Sequence, residues 1–176
     1  MGRVLRNIAL VMVVALATTG CFKKVTTDTT LRIKTLSEAE SNGKCVVAEG
    51  CFAYMYYTDK EDWSVESYED ALAKTITQTT TGEKLSEPNV ESEPYTAEGE
   101  AYSYLSMFQD RAPALVVVVY PEKRMYAYIY RRAEAENLYY TYLTLIFHTW
   151  KSGAYNEGTK PGYKWTVVAP EAVINE

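Results

Sequence analysis

The feature that most restricts the fold of this chain is the run of seven residues Ala114–Tyr120, ALVVVVY, with a proline on either side. β-branched residues prefer extended strands. Because no polar residue interrupts the run, it predicts a strand that is buried on both faces. Residues 121–124 predict a short turn and 125–130 a partner strand, so a β-hairpin is expected over 114–132.

Other segments repeat the strand signal. They are 31–35, 51–58, 138–150 and 163–168. The segment 31–35 alternates apolar and charged residues, as a half-buried strand does. Alternation in 138–150 places Leu143, Leu145 and Phe147 on one face and Ile146, His148 and Trp150 on the other. About seven short strands separated by turn signals predict an all-β fold, a single antiparallel β-sandwich.

One segment has helical spacing. In 64–76 the apolar residues fall at 65, 68, 72 and 76, and Ser67 with Asp70 forms a short capping pattern. We therefore expect one short helix there. Residues 82–100 carry glycines and prolines among acidic residues, which predicts a long loop.

The N-terminus has the composition of an export signal. Arg3 and Arg6 make the start positive, and 8–17 is an unbroken apolar run. A run of that length spans only about 15 Å as a helix, whereas a membrane-spanning helix needs about twenty residues. Residues 1–20 are therefore predicted to be a cleaved signal peptide.

The junction at Cys21 resembles the lipobox of bacterial lipoproteins, in which small residues precede a cysteine that is acylated and becomes the mature N-terminus. The resemblance covers 1–21 and departs from the usual pattern at Thr18, where leucine is common. It implies lipidation of Cys21. The competing interpretation is cleavage by ordinary signal peptidase after 15–17, Ala-Leu-Ala, which would leave Cys21 as a thiol.

Lipidation would divide the chain into a signal peptide, a lipidated tether over 21–29 and one β-sandwich domain over 30–176. Residues 1–20 hold two of the 18 basic residues and none of the 23 acidic ones, so the mature chain would carry a net charge of −7. An acidic domain repels the phosphate backbone, so nucleic acid is not expected as a partner.

The remaining cysteines, Cys45 and Cys51, form an even pair in an oxidising compartment, where a disulfide between them is expected. Six extended residues would separate their Cα atoms by about 20 Å, and a disulfide needs about 4.4–6.8 Å. The bond therefore requires 46–50 to turn back. The alternative is two separate cysteines that act as small apolar residues.

Lipobox, tether and one tyrosine-rich sandwich together resemble the small envelope lipoproteins of Bacteroidetes-type bacteria, some of which have transthyretin-like (carboxypeptidase regulatory-like) or immunoglobulin-like sandwiches. The resemblance implies a non-catalytic binding or structural role in the cell envelope, on the outer membrane. Lys23 and Lys24 differ from the acidic export signals of surface lipoproteins, which favours the periplasmic face.

No constellation of residues predicts catalysis, a cofactor or a metal. His148 is the single histidine and lies within a predicted strand, where packing or a cross-strand hydrogen bond is the ordinary role. One histidine and two cysteines are too few for a closed zinc site. The acidic loop 82–100 lacks the spacing of an EF-hand, so we interpret it as solvated. A hydrolase of envelope polymers using loop carboxylates remains the alternative from a different class.

The distinctive feature of the composition is its 16 tyrosines. Tyr126, Tyr128 and Tyr130 alternate on one face of a predicted strand. If exposed, they predict a face that binds a glycan or a protein partner. The favoured interpretation is that these rings fill a core or form cross-strand ladders.

Overall fold

The computed structural model describes residues 28–94, 102–108, 114–131, 140–150, 154–155 and 165–168. The predicted signal peptide and Cys21 lie outside these residues. The strands are β1 (Asp28–Glu38), β2 (Cys45–Val47), β3 (Phe52–Tyr57), β4 (Trp63–Ser64), β5 (Ile76–Gln78), β6 (Lys84–Leu85), β7 (Val90–Glu91), β8 (Tyr102–Phe108), β9 (Ala114–Tyr120), β10 (Met125–Arg131), β11 (Tyr140–His148), β12 (Ala154–Tyr155) and β13 (Thr166–Val168), and the helix is α1 (Tyr68–Leu72). The all-β class predicted from the sequence is confirmed.

The central sheet has the order β13-β10-β9-β3-β7, and all its neighbours are antiparallel. The predicted hairpin is its middle, with Met125 opposite Tyr120 across the turn. Every residue of β9 is buried. Val116 and Val118 pack into one core and Val117 and Val119 into a second, which confirms the prediction of a strand covered on both faces.

The outer sheet is built around β1. β11 pairs with one edge of β1, while β8 and β2 pair in succession with the other. β1 and β11 run parallel, so the sheet is mixed and not purely antiparallel as the sequence predicted. Its inner face supplies Leu31, Ile33 and Leu143 to the first core, which lies between the outer and central sheets.

A third layer, the cap layer, covers the other face of the central sheet. It consists of α1 and the small sheet β4-β5-β6. Val65, Ala71 and Ile76 from this layer pack with the second core. The predicted cap of α1 is confirmed, because the Ser67 hydroxyl accepts a hydrogen bond from the Asp70 N–H at 3.0 Å.

Two predicted segments differ from the structure. The helix is shorter than 64–76, because the ends of that segment form β4 and β5. The segment 82–100, expected to be a loop, contains β6 and β7, which pair with β5 and β3. Strands of two residues have too few alternating positions for a period to be recognised, so only pairing with a neighbour reveals them.

Candidate functional site

The outward face of the outer sheet carries a row of three side chains, two exposed tyrosines and a partly buried arginine, that the register brings together. Arg32 on β1 lies opposite Tyr142 on β11 and opposite Tyr104 on β8. Because side chains alternate along β1, Leu31 and Ile33 point into the core while Arg32 points outward. The same alternation therefore builds both the core and this surface, which we call the Tyr-Arg-Tyr row.

Within the row the guanidinium lies between the two rings. The Arg32 Cζ atom is 5.4 Å from the centre of the Tyr104 ring and 5.5 Å from that of Tyr142. One guanidinium N–H of Arg32 also donates a hydrogen bond to the Tyr142 hydroxyl at 3.2 Å. Cation–π attraction to both rings restricts the arginine side chain. The rings remain 38% (Tyr104) and 42% (Tyr142) exposed.

A second cation lies one row further along the same face. Lys34 is two residues from Arg32 on β1, about 6.8 Å along the strand, and lies opposite Thr144. Thr30 and Ser106 occupy the neighbouring row on the other side. Among the described side chains of these three rows, the charged ones are therefore both positive.

The far end of the same face holds a buried acid–imidazole pair. Glu38 lies opposite His148 on β11, and its Oε2 atom is 2.5 Å from His148 Nδ1. The Gly43 N–H donates to the other carboxylate oxygen at 2.7 Å. This hydrogen bond, followed by the contact with His148, holds the pKa of Glu38 below its ordinary value of 4.5 against the opposing effect of burial. Gly43 has φ +74, a conformation that glycine adopts without strain.

The order of side chains at this end disfavours a nucleophilic site. Cys45 on β2 lies opposite Glu38, which in turn lies opposite His148. A thiol nucleophile needs its imidazole base within about 2.6–3.2 Å. Here the two lie on strands on either side of β1, about 10 Å apart. The Trp150 ring stands edge-on to His148, with centres 5.7 Å apart. His148 thus has a packed, paired position, as interpreted from the sequence.

An open groove of about 520 Å³ lies where β1 and β2 approach the turn between β9 and β10. Its lining includes Tyr120 and the carboxylates Glu49 and Glu122. These are the acids that a hydrolase would have to use here. Lys123 lies 2.9 Å from Glu122, and this contact raises the pKa of the lysine. A lysine-paired, exposed acid differs from the buried, protonated acid that glycoside hydrolysis requires.

The three tyrosines considered as a ligand face are covered instead. Tyr126 is 2% exposed, and Tyr128 and Tyr130 are partly buried. Tyr126 belongs to the second core, and the other two pack against it. The exposed-face interpretation of these residues is therefore wrong, and the favoured interpretation, a core role, describes them. The cap layer covers this face of β10, and strand alternation alone does not reveal such a layer.

Cys45 and Cys51 are not joined by a disulfide. Cys45 is exposed on β2, whereas Cys51 is fully buried in the first core. The expected turn does occur, because Gly50 has φ +73 and the Cys51 N–H bonds to the Ala48 carbonyl. However, Val46 and the rest of β2 are held extended by pairing with β1, so the two cysteines have different surroundings.

Sequence reasoning missed the Tyr-Arg-Tyr row. The alternation of Arg32 with Leu31 and Ile33 predicts a strand, but the strands predicted from the sequence do not include β8, which supplies Tyr104. The pattern Tyr-Ser-Tyr-Leu-Ser over 102–106 is a strand signal that was available. The meeting of the three side chains depends on strand register, which alternation does not specify between distant segments.

No known protein family, curated protein or solved structure matches this chain. None of the helices in the described residues has the length and apolar character to cross a membrane. The described residues also contain no group of three or more histidine, cysteine and acidic side chains placed to hold a metal ion.

Proposed function

We propose that this chain is a non-catalytic binding module of the bacterial cell envelope, held to a membrane by lipid on Cys21. The Tyr-Arg-Tyr row is its ligand surface. The observation that carries the proposal is the placement of two partly exposed tyrosine rings around an outward-facing arginine at the centre of the outer sheet. Tyrosine and arginine are enriched among the residues that dominate binding energy.

The N-terminal sequence supports the proposed location. The positive start, short apolar run and Gly20-Cys21 junction support export and lipidation. The tether 21–29 is mixed and polar, which suits a flexible link between membrane and domain. Lys23 and Lys24 favour the periplasmic face of the outer membrane as the site of attachment.

The anchor has a direct test. The mature protein is expected to begin at Cys21 and to carry lipid, so intact mass should exceed that of the peptide chain from 21 to 176. Cys21→Ser should block processing or release the protein from the membrane fraction. A mature protein that begins at Thr18, without lipid, would show that ordinary signal peptidase acts instead.

A glycan is the ligand class that this surface suits best. Tyrosine rings offer apolar faces to the C–H groups of a sugar and hydroxyls to its polar edge. The three rows around Arg32 form a strand surface with no described element above it, which an extended chain can follow.

The test is a glycan array probed with the full-length protein solubilised in detergent. Wild type is expected to bind a subset of glycans, and the double variant Tyr104→Ala/Tyr142→Ala to lose that binding. Tyr68→Ala, on the cap layer, is the control for loss of a tyrosine elsewhere. Glycan binding that survives in the double variant, or no binding of the wild type to any glycan on the array, would refute the glycan surface.

A further inference from the structure

We infer that the Tyr-Arg-Tyr row, with Lys34, binds a polysaccharide that carries carboxylate groups. This inference rests on the proposed function and specifies its ligand. The guanidinium of Arg32 and the ammonium of Lys34 contact the carboxylates, and the rings of Tyr104 and Tyr142 contact the sugars on either side.

The first argument is local charge. The mature chain has 16 basic against 23 acidic residues, a net charge of −7. The described charged side chains in the row and in its two neighbouring rows are nevertheless Arg32 and Lys34, and Glu38, further along this face, is buried against Gly43 and His148. A positive surface on a negative protein is complementary to an anionic ligand.

The second argument is the state of the arginine. A guanidinium is a planar fork that matches the two oxygens of a carboxylate. Arg32 is held between two rings and by a hydrogen bond to Tyr142, so much of its conformational freedom is lost before any ligand binds. Preorganisation of this kind lowers the entropic cost of binding. Lys34 adds a second, flexible charge one row away.

The third argument is shape. Tyr104 and Tyr142 lie on strands separated by β1, about 10 Å apart, and the surface between them is a strand face and not an enclosed pocket. A small anion would contact only part of this surface. A polymer places successive charged sugars along it, and each additional contact is made at high effective concentration.

Other occupants fit less well. In a symmetric dimer of this chain the same face would meet itself and bring Arg32 and Lys34 of each copy together, which like-charge repulsion opposes. Segments that bind anionic headgroups carry clusters of about four to eight basic residues, so two cations hold a membrane surface only weakly. The net negative charge of the whole domain repels the phosphate backbone of nucleic acid.

The experiment compares each acidic polymer with its own neutral form. Full-length protein in a neutral detergent is titrated against polygalacturonate and alginate, and against the same polymers after reduction of their carboxyl groups. Wild type is expected to bind at least one acidic polymer about tenfold or more tightly than its reduced form. Dextran sulfate and phosphatidylglycerol vesicles test other anions.

Variants test whether the preference for the acidic polymer depends on the Tyr-Arg-Tyr row. Arg32→Gln is expected to weaken binding to the acidic polymer by about tenfold and to remove the difference between acidic and reduced forms. Arg32→Lys keeps the charge but not the planar fork, so its affinity for the acidic polymer should lie between those of wild type and Arg32→Gln. Arg124→Gln is the matched control. Arg124 also stacks on a tyrosine, 4.6 Å from the centre of the Tyr68 ring, but at the cap layer. The Arg124→Gln variant should bind the acidic and reduced polymers as wild type does.

The outcomes separate the inference from the proposed function. Equal binding to acidic and reduced polymers, lost in Tyr104→Ala/Tyr142→Ala, overturns the inference and leaves the glycan surface standing. Tighter binding to dextran sulfate or to vesicles than to both carboxylate polymers also overturns it, as does binding to none of them. Urea unfolding of Arg32→Lys and Lys34→Gln is measured as a control. Midpoints equal to that of wild type show that a lost preference for the acidic polymer comes from the surface and not from unfolding.

Discussion

Replacing Tyr126 with phenylalanine removes one oxygen atom from the interface between the central sheet and the cap layer. Tyr126 is 2% exposed, and its hydroxyl donates to the Val65 carbonyl at 3.1 Å. Neighbouring tyrosines do the same: Tyr54 donates to Ala71 O at 3.1 Å and Tyr56 to Lys74 O at 2.5 Å. These hydroxyls cross an apolar core to reach backbone carbonyls.

The expected loss of stability can be worked from that geometry. The hydrogen bond contributes about 1 kcal/mol net, and a buried carbonyl left without its partner costs about 1–3 kcal/mol. Phenylalanine recovers part of this, since no hydroxyl then has to leave water. We expect Tyr126→Phe to lower the free energy of unfolding by about 1–2 kcal/mol, or the melting temperature by about 2–8 °C for a domain of this size.

Urea unfolding followed by circular dichroism measures this change, with the denaturant slope held equal between variants. Tyr142→Phe is the matched control. It removes the same atom from an exposed ring whose hydroxyl accepts from Arg32, and its effect should stay within about 0.5 kcal/mol. Equal effects of Tyr126→Phe and Tyr142→Phe would refute the conclusion that these hydroxyls hold the cap layer in place.

Two predictions concern pH. Burial raises the pKa of Tyr56, Tyr126 and Tyr130 to about 12 from an ordinary 10.0, so their contribution to stability should be complete below pH 10 and lost as the pH rises toward 12. The tyrosinate absorbance of these three side chains should therefore appear together with loss of the β-sheet signal, and their ionisation at the pH seen in denatured protein would contradict this. The pKa of Glu38 is lowered from 4.5 in the folded state, so its contribution is present above that pH and lost as the pH falls through the folded value. Urea midpoints of wild type and Glu38→Gln should accordingly differ at neutral pH and converge in acid, and a constant difference would disprove the role of the carboxylate.

The parts of the fold that the sequence predicts are those encoded by local pattern. The run Ala114–Tyr120 predicts its own burial, since a strand with no polar face needs a cover on both sides. The alternation in 143–148 predicts which side chains of β11 enter the core, and the capping pattern at Ser67 locates the start of α1. Each of these follows from residues close together in the sequence.

Partners that come from distant segments are not encoded in this way. β1 and β11 pair in parallel although their partner residues are far apart in the sequence; Arg32 and Tyr142, for example, are 110 residues apart. The alternation within one strand does not identify the strand with which it pairs. For the same reason, the sequence shows Tyr126 as one of an alternating set of tyrosines but does not show which layer lies over it. Alternation therefore does not decide between a core role and an exposed face for these tyrosines, and the cap layer does.

The cap layer also explains why the two sheets use tyrosine differently. α1 has five residues, and a helix so short is not stable by itself. The helix and the residue after its C-cap gain stability because Tyr54 donates to the Ala71 carbonyl and Tyr56 to the Lys74 carbonyl from the central sheet. Tyrosine serves here because it combines a large apolar ring with a hydroxyl at a fixed distance. On the outer sheet the hydroxyl of Tyr142 meets an arginine side chain and not a backbone carbonyl, and no described element packs over the ring. The same residue type therefore joins the cap layer to the central sheet through its hydroxyl, whereas on the outer sheet Tyr142 remains 42% exposed and contacts Arg32.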